Sequence, residues 1–368
     1  MTRRAACLIL VMAAGTFLSQ AQPETFQDTF NDVRRVVAIG DVHGDYQRFL
    51  ELLRTAALVD AKGAWTGGAS HLVLTGDFVD RGDHSAQVLD LLMDLEPQAR
   101  KAGGQVHALI GNHEAMDIYG DLRYVTKNDF SGFQAPNSKD LQAEQMRSAW
   151  DDLRLRDAAP DDETAWRKEF LDQHPLGWVE HRLAFQPRGK YGKWLFQQNA
   201  IIKINDAIFL HGGISQKYAA TTRHEINTKV RKELADFSQP KKGIVTDEQG
   251  PLWYRGMAQL PENDKEMAAV LTRVLATHEV GHVVIGHTPQ VALLPRFGGK
   301  VVAIDVGLSQ PFDGPPAFLL IENGKYFAVH RGQRLELPVD GGNALNYLRS
   351  AAALEPSDTP LRRLIRNR

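Results

Sequence analysis

Along this chain, short runs of apolar, mostly β-branched residues repeatedly open onto an acid, an amide or a histidine. Val36-Val-Ala-Ile-Gly40 leads to Asp41-Val-His43, and His71-Leu-Val-Leu-Thr-Gly76 to Asp77-Phe-Val-Asp80-Arg81. Val106-His-Ala-Leu-Ile-Gly111 leads to Asn112-His113-Glu114, Ala207-Ile-Phe-Leu210 to His211-Gly-Gly213, His282-Val-Val-Ile-Gly286 to His287-Thr-Pro289, and Val301-Val-Ala-Ile304 to Asp305. Helical spacing separates several of these runs: Phe49, Leu52, Leu53 and Ala56 within 45–59, and Val88, Leu91, Leu92 and Leu95 within 85–100. Strands alternating with helices predict an α/β fold. Open α/β sheets place their ligands at the carboxyl ends of their strands, where these polar clusters fall. A glycine before the cluster lets the backbone turn sharply and approach an ion or a phosphate.

Asp41, His43, Asp77, Asn112, His211 and His287 are the candidate metal ligands. Oxygen and imidazole donors without a thiolate suit zinc, iron or manganese. The set is too large for one catalytic ion with an open position, and it suits two ions bridged by a carboxylate. The one cysteine, Cys7, lies in the first few residues, so no thiolate is expected in the site.

His278-Glu279-Val-Gly-His282 competes for attention, because it matches the H-E-x-x-H pattern of zinc peptidases. A peptidase helix would carry both histidines on one face and continue past the second. Here Gly281 intervenes and His282 opens a Val-Val-Ile run that favours a strand. His278 is expected to close a helix over 263–279 and His287 to be the ligand. A zinc metallopeptidase using His278, Glu279 and His282 is the remote alternative.

Residues 1–21 read as a secretory signal peptide: Arg3 and Arg4, an apolar run from Ala5 to Leu18, then Ser19-Gln20-Ala21 as a cleavage site. The expected location is therefore across the inner membrane, in the periplasm, with no stable membrane span after cleavage. With 43 basic and 45 acidic residues, the chain lacks the charge excess of an electrostatic nucleic-acid binder. The expected organisation continues with a leader at 22–35, a main domain at 36–335 and a C-terminal helix with a frayed basic tail at 336–368. Within the main domain, residues 115–200 form a charged, partly helical insertion. Near its end Arg188, Lys190 and Lys193 are candidates for substrate recognition. Residues 316–331 read as a hairpin turning at Asn323-Gly324.

Taken in order, Gly40-Asp-Val-His-Gly44, Gly76-Asp-Phe-Val-Asp-Arg-Gly82, Gly111-Asn-His-Glu114, His211-Gly-Gly213 and Gly286-His-Thr288 resemble the motifs of calcineurin-like metallophosphoesterases. The resemblance is to the branch shared by phosphoprotein phosphatases and diadenosine tetraphosphatases. With Leu252-Trp-Tyr-Arg-Gly256 added, the chain resembles bacterial Shewanella-like protein phosphatases over about residues 36–331. The resemblance implies two mixed sheets packed as a sandwich, flanked by helices, with residues 115–200 as a cap. It also implies that Asp41 and His43 bind the first ion, that Asp77 bridges, and that Asn112, His211 and His287 complete the second. A bridging water with lowered pKa would attack phosphorus in line. His113, held by Asp80, would protonate the leaving oxygen, while Arg81 and Arg255 hold phosphoryl oxygens.

The implied function is hydrolysis of phosphate monoesters with manganese, iron or zinc, on a phosphorylated protein or a small phosphoester. Phosphoserine/threonine phosphatases close their site with a tyrosine in a Ser-Ala-Pro-Asn-Tyr stretch. Ile304-Asp-Val-Gly-Leu308 stands in that place here, so that tyrosine has no assigned counterpart and a phosphotyrosine preference is expected instead. The alternative is a diadenosine polyphosphate or nucleotide phosphohydrolase working with the same metals.

Overall fold

The computed structural model describes residues 26–236 and 243–367. The expected signal peptide at 1–21, with Cys7, lies outside the described residues. In chain order the strands are β1 (Thr29–Phe30), β2 (Arg35–Ile39), β3 (His71–Leu74), β4 (Gln105–Ala108), β5 (Ile201–Ile204) and β6 (Ala207–Leu210). They continue with β7 (His282–Ile285), β8 (Leu294–Arg296), β9 (Val301–Ala303), β10 (Ala317–Glu322), β11 (Lys325–His330) and β12 (Gln333–Glu336). Two six-stranded sheets result, ordered β1-β5-β6-β7-β9-β8 and β12-β11-β10-β2-β3-β4. Each contains a triplet of parallel neighbours, β6-β7-β9 in the first and β2-β3-β4 in the second. Antiparallel pairs such as β10 with β2 and β5 with β6 make both sheets mixed, as expected.

Alternation along β2 shows how the layers form. Val36 and Ala38 join Leu319 of β10 and Phe209, Val284 and Val302 of the other sheet in one buried cluster. Val37 and Ile39 point the other way, into a cluster with Phe49 and Leu52 of the helix Tyr46–Thr55 and Leu89 and Leu92 of the helix Ser85–Lys101. Strands covered on both faces lose their polar alternation and read as apolar runs. Burying each large side chain contributes about 1.5–3 kcal/mol.

The helix expected over 45–59 is shorter, because Asp45 is its cap: its carboxylate accepts from the Arg48 N–H and the helix runs Tyr46–Thr55. The hairpin forms as expected, with Asn323 at φ 50° and Gly324 at φ 77°. Insertion 115–200 is partly helical, with helices Lys127–Ser131, Ser138–Leu155, Glu163–Gln173, Trp178–Phe185 and Lys190–Leu195.

Two expectations at the ends are corrected. The leader is not outside the fold, since β1 pairs in parallel with β5 and Phe30 is buried between the sheets. The tail does not fray: after the helix Ala344–Leu354, Thr359 caps a helix Pro360–Arg366 that buries Leu361 in the same cluster. Among the described residues, no helix is long and apolar enough to cross a membrane.

Candidate active site

Parallel strands that lie side by side bring their carboxyl ends to one edge. Asp41 and His43 follow β2, Asp77 follows β3 and Asn112 follows β4. From the other sheet His211 follows β6 and His287 follows β7. Both triplets meet around one cavity of about 150 Å³, lined by Asp41, His43, Asp77, Asn112, His287 and their neighbours. Every candidate ligand is almost wholly buried.

Carbonyl partners orient the rings. His43 Nδ1 lies 3.1 Å from the Val79 carbonyl and His211 Nδ1 lies 3.0 Å from that of Thr75, so both turn Nε2 to the cavity. His287 is reversed: its Nε2 lies 3.1 Å from the Trp253 carbonyl, which turns Nδ1 inward. Burial lowers the His43 pKa to about 3 and that of His287 well below its ordinary value, which keeps both rings neutral and able to ligate. His211 Nε2 then faces Asn112 Oδ1 at 3.0 Å and Asp77 Oδ2 at 3.1 Å. An imidazole nitrogen and two oxygens thus converge on one point, an arrangement that suits a cation. Donor atoms of His43, Asp77 and His113, and of Asp77, His211 and His287, fall into two groups, each spanning less than 4.8 Å. They share Asp77, as a bridging carboxylate would require; His113 falls within the first group but is not one of the six candidate ligands. Asp41 stands beside them, its Oδ1 accepting from the His287 N–H at 2.9 Å and its Oδ2 3.8 Å from His43 Nε2. The donor set therefore fits a pair of divalent ions.

The backbone is bent into unusual conformations to achieve this. His43, Asp77, Asp80, Arg81 and His287 all have φ between 48° and 69°, a region L-residues avoid outside constrained sites. Gly76, at φ 103°, could not be replaced, because a β-carbon there would lie 2.7 Å from the Gly111 backbone. Glu114 anchors the turn: its buried carboxylate accepts from the N–H groups of Asp77, Phe78 and Gly111 at 2.8–2.9 Å. The Gly-Asn-His-Glu motif was legible in the sequence, but this role of Glu114 was not.

His113 Nδ1 lies 2.6 Å from Asp80 Oδ2. Burial opposes charge on the ring, but Asp77 and the Asp80 hydrogen bond outweigh it and raise the His113 pKa to about 9. Burial, reinforced by Asp117, pushes Asp80 up to about 7. Arg81 Nη2 lies 3.4 Å from His113 Nε2, and the buried Arg81 Nε has no acceptor among the described residues. Arg255 reaches the same cavity, its Nη1 donating to the His287 carbonyl at 2.5 Å and to Thr288 Oγ1 at 3.2 Å.

The structure separates the other candidates from this cavity. The helix Lys265–His278 ends at His278, Glu279 turns into the left-handed region at φ 54°, and His282 begins β7 with Nδ1 on the Gly299 carbonyl. The peptidase-like pattern is thus split between two elements. Arg188, Lys190 and Lys193 are exposed and do not line the cavity, and Lys190 pairs with Asp90 on the helix Ser85–Lys101. The insertion instead supplies Tyr124, and the turn after β9 supplies Phe312, both at the cavity rim. A lone tyrosine and a lone phenylalanine in polar loops carry no periodicity that could have flagged them. Asp305, buried next to Asp41, was seen only as another strand end; its Oδ1 accepts from the Gly307 N–H at 2.8 Å.

Residues 34–291 match the family model of the calcineurin-like phosphoesterases. Shewanella-like protein phosphatase 2 of Arabidopsis thaliana is 30% identical, over 84% of this chain and 81% of the relative. Shewanella-like protein phosphatase 1 of Plasmodium berghei is 26% identical, over 80% and 74% respectively. The crystal structure of a cold-active protein-tyrosine phosphatase from a psychrophilic Shewanella species superimposes with a TM-score of 0.64 at 31% identity, covering 84% of this chain and 82% of that one. The fold, the strand-end donor set and these likenesses agree: the chain belongs to the calcineurin-like metallophosphoesterases and is a metal-dependent hydrolase of phosphoesters.

Proposed function

We propose that the chain is a two-metal phosphoprotein phosphatase that prefers phosphotyrosine, and that manganese, iron or zinc is held by Asp41, His43, Asp77, Asn112, His211 and His287. The observation that carries this reading is a small cavity with two chemically opposite sides. Its floor is crowded with oxygen and imidazole acceptors, while its wall presents Arg81, Arg255 and the protonated His113. An anion bound to cations on the floor, with further oxygens reaching toward the wall, satisfies both sides, as a phosphoryl group would. Bound ions would supply an acidified water and neutralise charge on the phosphoryl oxygens. Arg81 donates to the phosphoryl oxygens through its free Nε–H, and Arg255 adds a second cation opposite. His113, oriented by Asp80, gives its Nε2 proton to the leaving oxygen.

A diadenosine polyphosphate hydrolase would use the same floor, because in either substrate only the phosphoryl group has to enter the cavity. The Shewanella tyrosine phosphatase among the similar structures supports the phosphotyrosine preference. We further propose export to the periplasm by residues 1–21, which cell fractionation of a C-terminally tagged chain would test. For the activity, the test is chelated protein reloaded with manganese, zinc or iron and assayed on phosphotyrosine peptide, phosphoserine peptide and diadenosine tetraphosphate. Fastest turnover of the phosphotyrosine peptide supports the reading; cleavage of the dinucleotide alone replaces it with the alternative.

A further inference from the structure

Two large aromatic side chains stand in the open at the cavity rim, Tyr124 with 39% and Phe312 with 40% of its surface exposed. They come from distant parts of the chain, yet both reach the same guanidinium: Arg81 Cζ lies 4.8 Å from the Tyr124 ring centroid and 5.2 Å from that of Phe312. A backbone bond, from the Arg81 N–H to the Tyr124 carbonyl at 2.9 Å, ties the insertion to this point. Tyr124 also lies against His113, centroids 4.9 Å apart, and Phe312 stacks on His43 at 5.9 Å and 29°.

We propose that Tyr124 and Phe312 form an aryl slot, selecting phosphate esters whose leaving oxygen is bonded directly to an aromatic ring. This rests on the phosphatase reading above and names the residues that set its substrate class. His113 faces the leaving oxygen, so whatever that oxygen carries lies within a few ångströms of His113 and against the Tyr124 ring. In phosphotyrosine the next atom belongs to a flat ring, which covers exposed aromatic surface and gains an offset or edge contact. In phosphoserine it is a single methylene followed by peptide backbone, which leaves the slot unfilled. In a dinucleotide the leaving oxygen carries another phosphate, with ribose and adenine beyond it, so no ring reaches the contact that Tyr124 makes beside His113.

A purely structural role, in which the rings only steady Arg81, would affect all phosphate ligands alike. The test therefore reads discrimination. Manganese-loaded protein is titrated calorimetrically with phenylphosphonate and cyclohexylphosphonate, which match in charge and size and have no leaving group. Wild type should bind the phenyl compound about tenfold tighter, a gain of the size expected for an aromatic pair. Tyr124→Ala and Phe312→Leu should each bring the ratio down to about two, while Tyr124→Phe should keep it; circular dichroism checks that each variant folds. Equal weakening of both phosphonates in Tyr124→Ala would overturn the slot. So would diadenosine tetraphosphate binding tighter than phenylphosphonate and losing that advantage in Tyr124→Ala. Failure of the phosphatase reading looks different: no hydrolysis of phenyl phosphate by wild type, with the phosphonate discrimination intact.

Discussion

On the floor of the cavity, His43, His211 and His287 each have one ring nitrogen on a backbone carbonyl, and Asp77 sits in a turn whose N–H groups are gathered by Glu114. At the rim, Tyr124 and Phe312 stand about 40% exposed and meet Arg81, His113 and His43 through ring contacts. The floor is therefore held by directional bonds in a buried, low-dielectric setting, where an error of an ångström is costly. The rim is held by softer contacts that tolerate variation. The reaction depends on the first kind of construction, and under the proposed aryl slot the choice of substrate would depend on the second.

The floor should fail most severely. Asp77→Asn removes the shared carboxylate, and kcat should fall on the order of 10³-fold or more. Elemental analysis should find fewer ions per chain than in wild type; full metal content would contradict the bridging role. His113→Asn, where floor meets wall, should cost about 10²-fold or more on an alkyl phosphate and less than tenfold on p-nitrophenyl phosphate, whose leaving group needs little proton donation. Equal losses on both substrates would exclude His113 as the donor.

Glu114→Ala tests the anchor beneath the floor. It leaves several buried N–H groups without an acceptor and should cost about 3 kcal/mol, read from chemical denaturation of chelated protein. A loss within error of zero would mean the turn holds without it. A pH series tests the burial of neutral imidazole. The folded His43 pKa is lowered to about 3, so below about pH 6.5 the unfolded chain takes a proton that the folded chain refuses. Chelated protein should lose stability as pH falls from 6.5 toward 3, and His43→Gln should flatten part of that slope in thermal melts. The smallest effect belongs outside both regions: replacing Arg188, Lys190 and Lys193 with Ala should change phosphopeptide kcat/KM less than about twofold, as for exposed charges remote from the reacting centre. A tenfold loss would extend the substrate-binding surface over the insertion.

Much of the floor was legible because its constraints are local. A strand buried on both faces must be apolar, the turn after it must bend sharply, and the ligand must follow within a few residues, as in Gly76-Asp77 and Gly111-Asn112. The Asn323-Gly324 hairpin was readable on the same terms. The split of His278 from His282 was readable too, since Gly281 and the β-branched run carry it. β1 was missed because two residues are too few to show a pattern, and the helix Pro360–Arg366 because its basic residues mask the buried Leu361.

What the amino-acid order alone determined is the α/β layering and the strand-end clusters of candidate donors, because periodicity and motif spacing act over a few residues at a time; the class of reaction followed from the likeness of those motifs to a known family. Only the tertiary structure decided which ring nitrogen each histidine presents, that Glu114 gathers the Asp77 turn, and that Tyr124 and Phe312 both reach Arg81. Those relations join residues as far apart in sequence as Arg81 and Phe312, and they are set by how two sheets and an insertion pack, which no local pattern encodes.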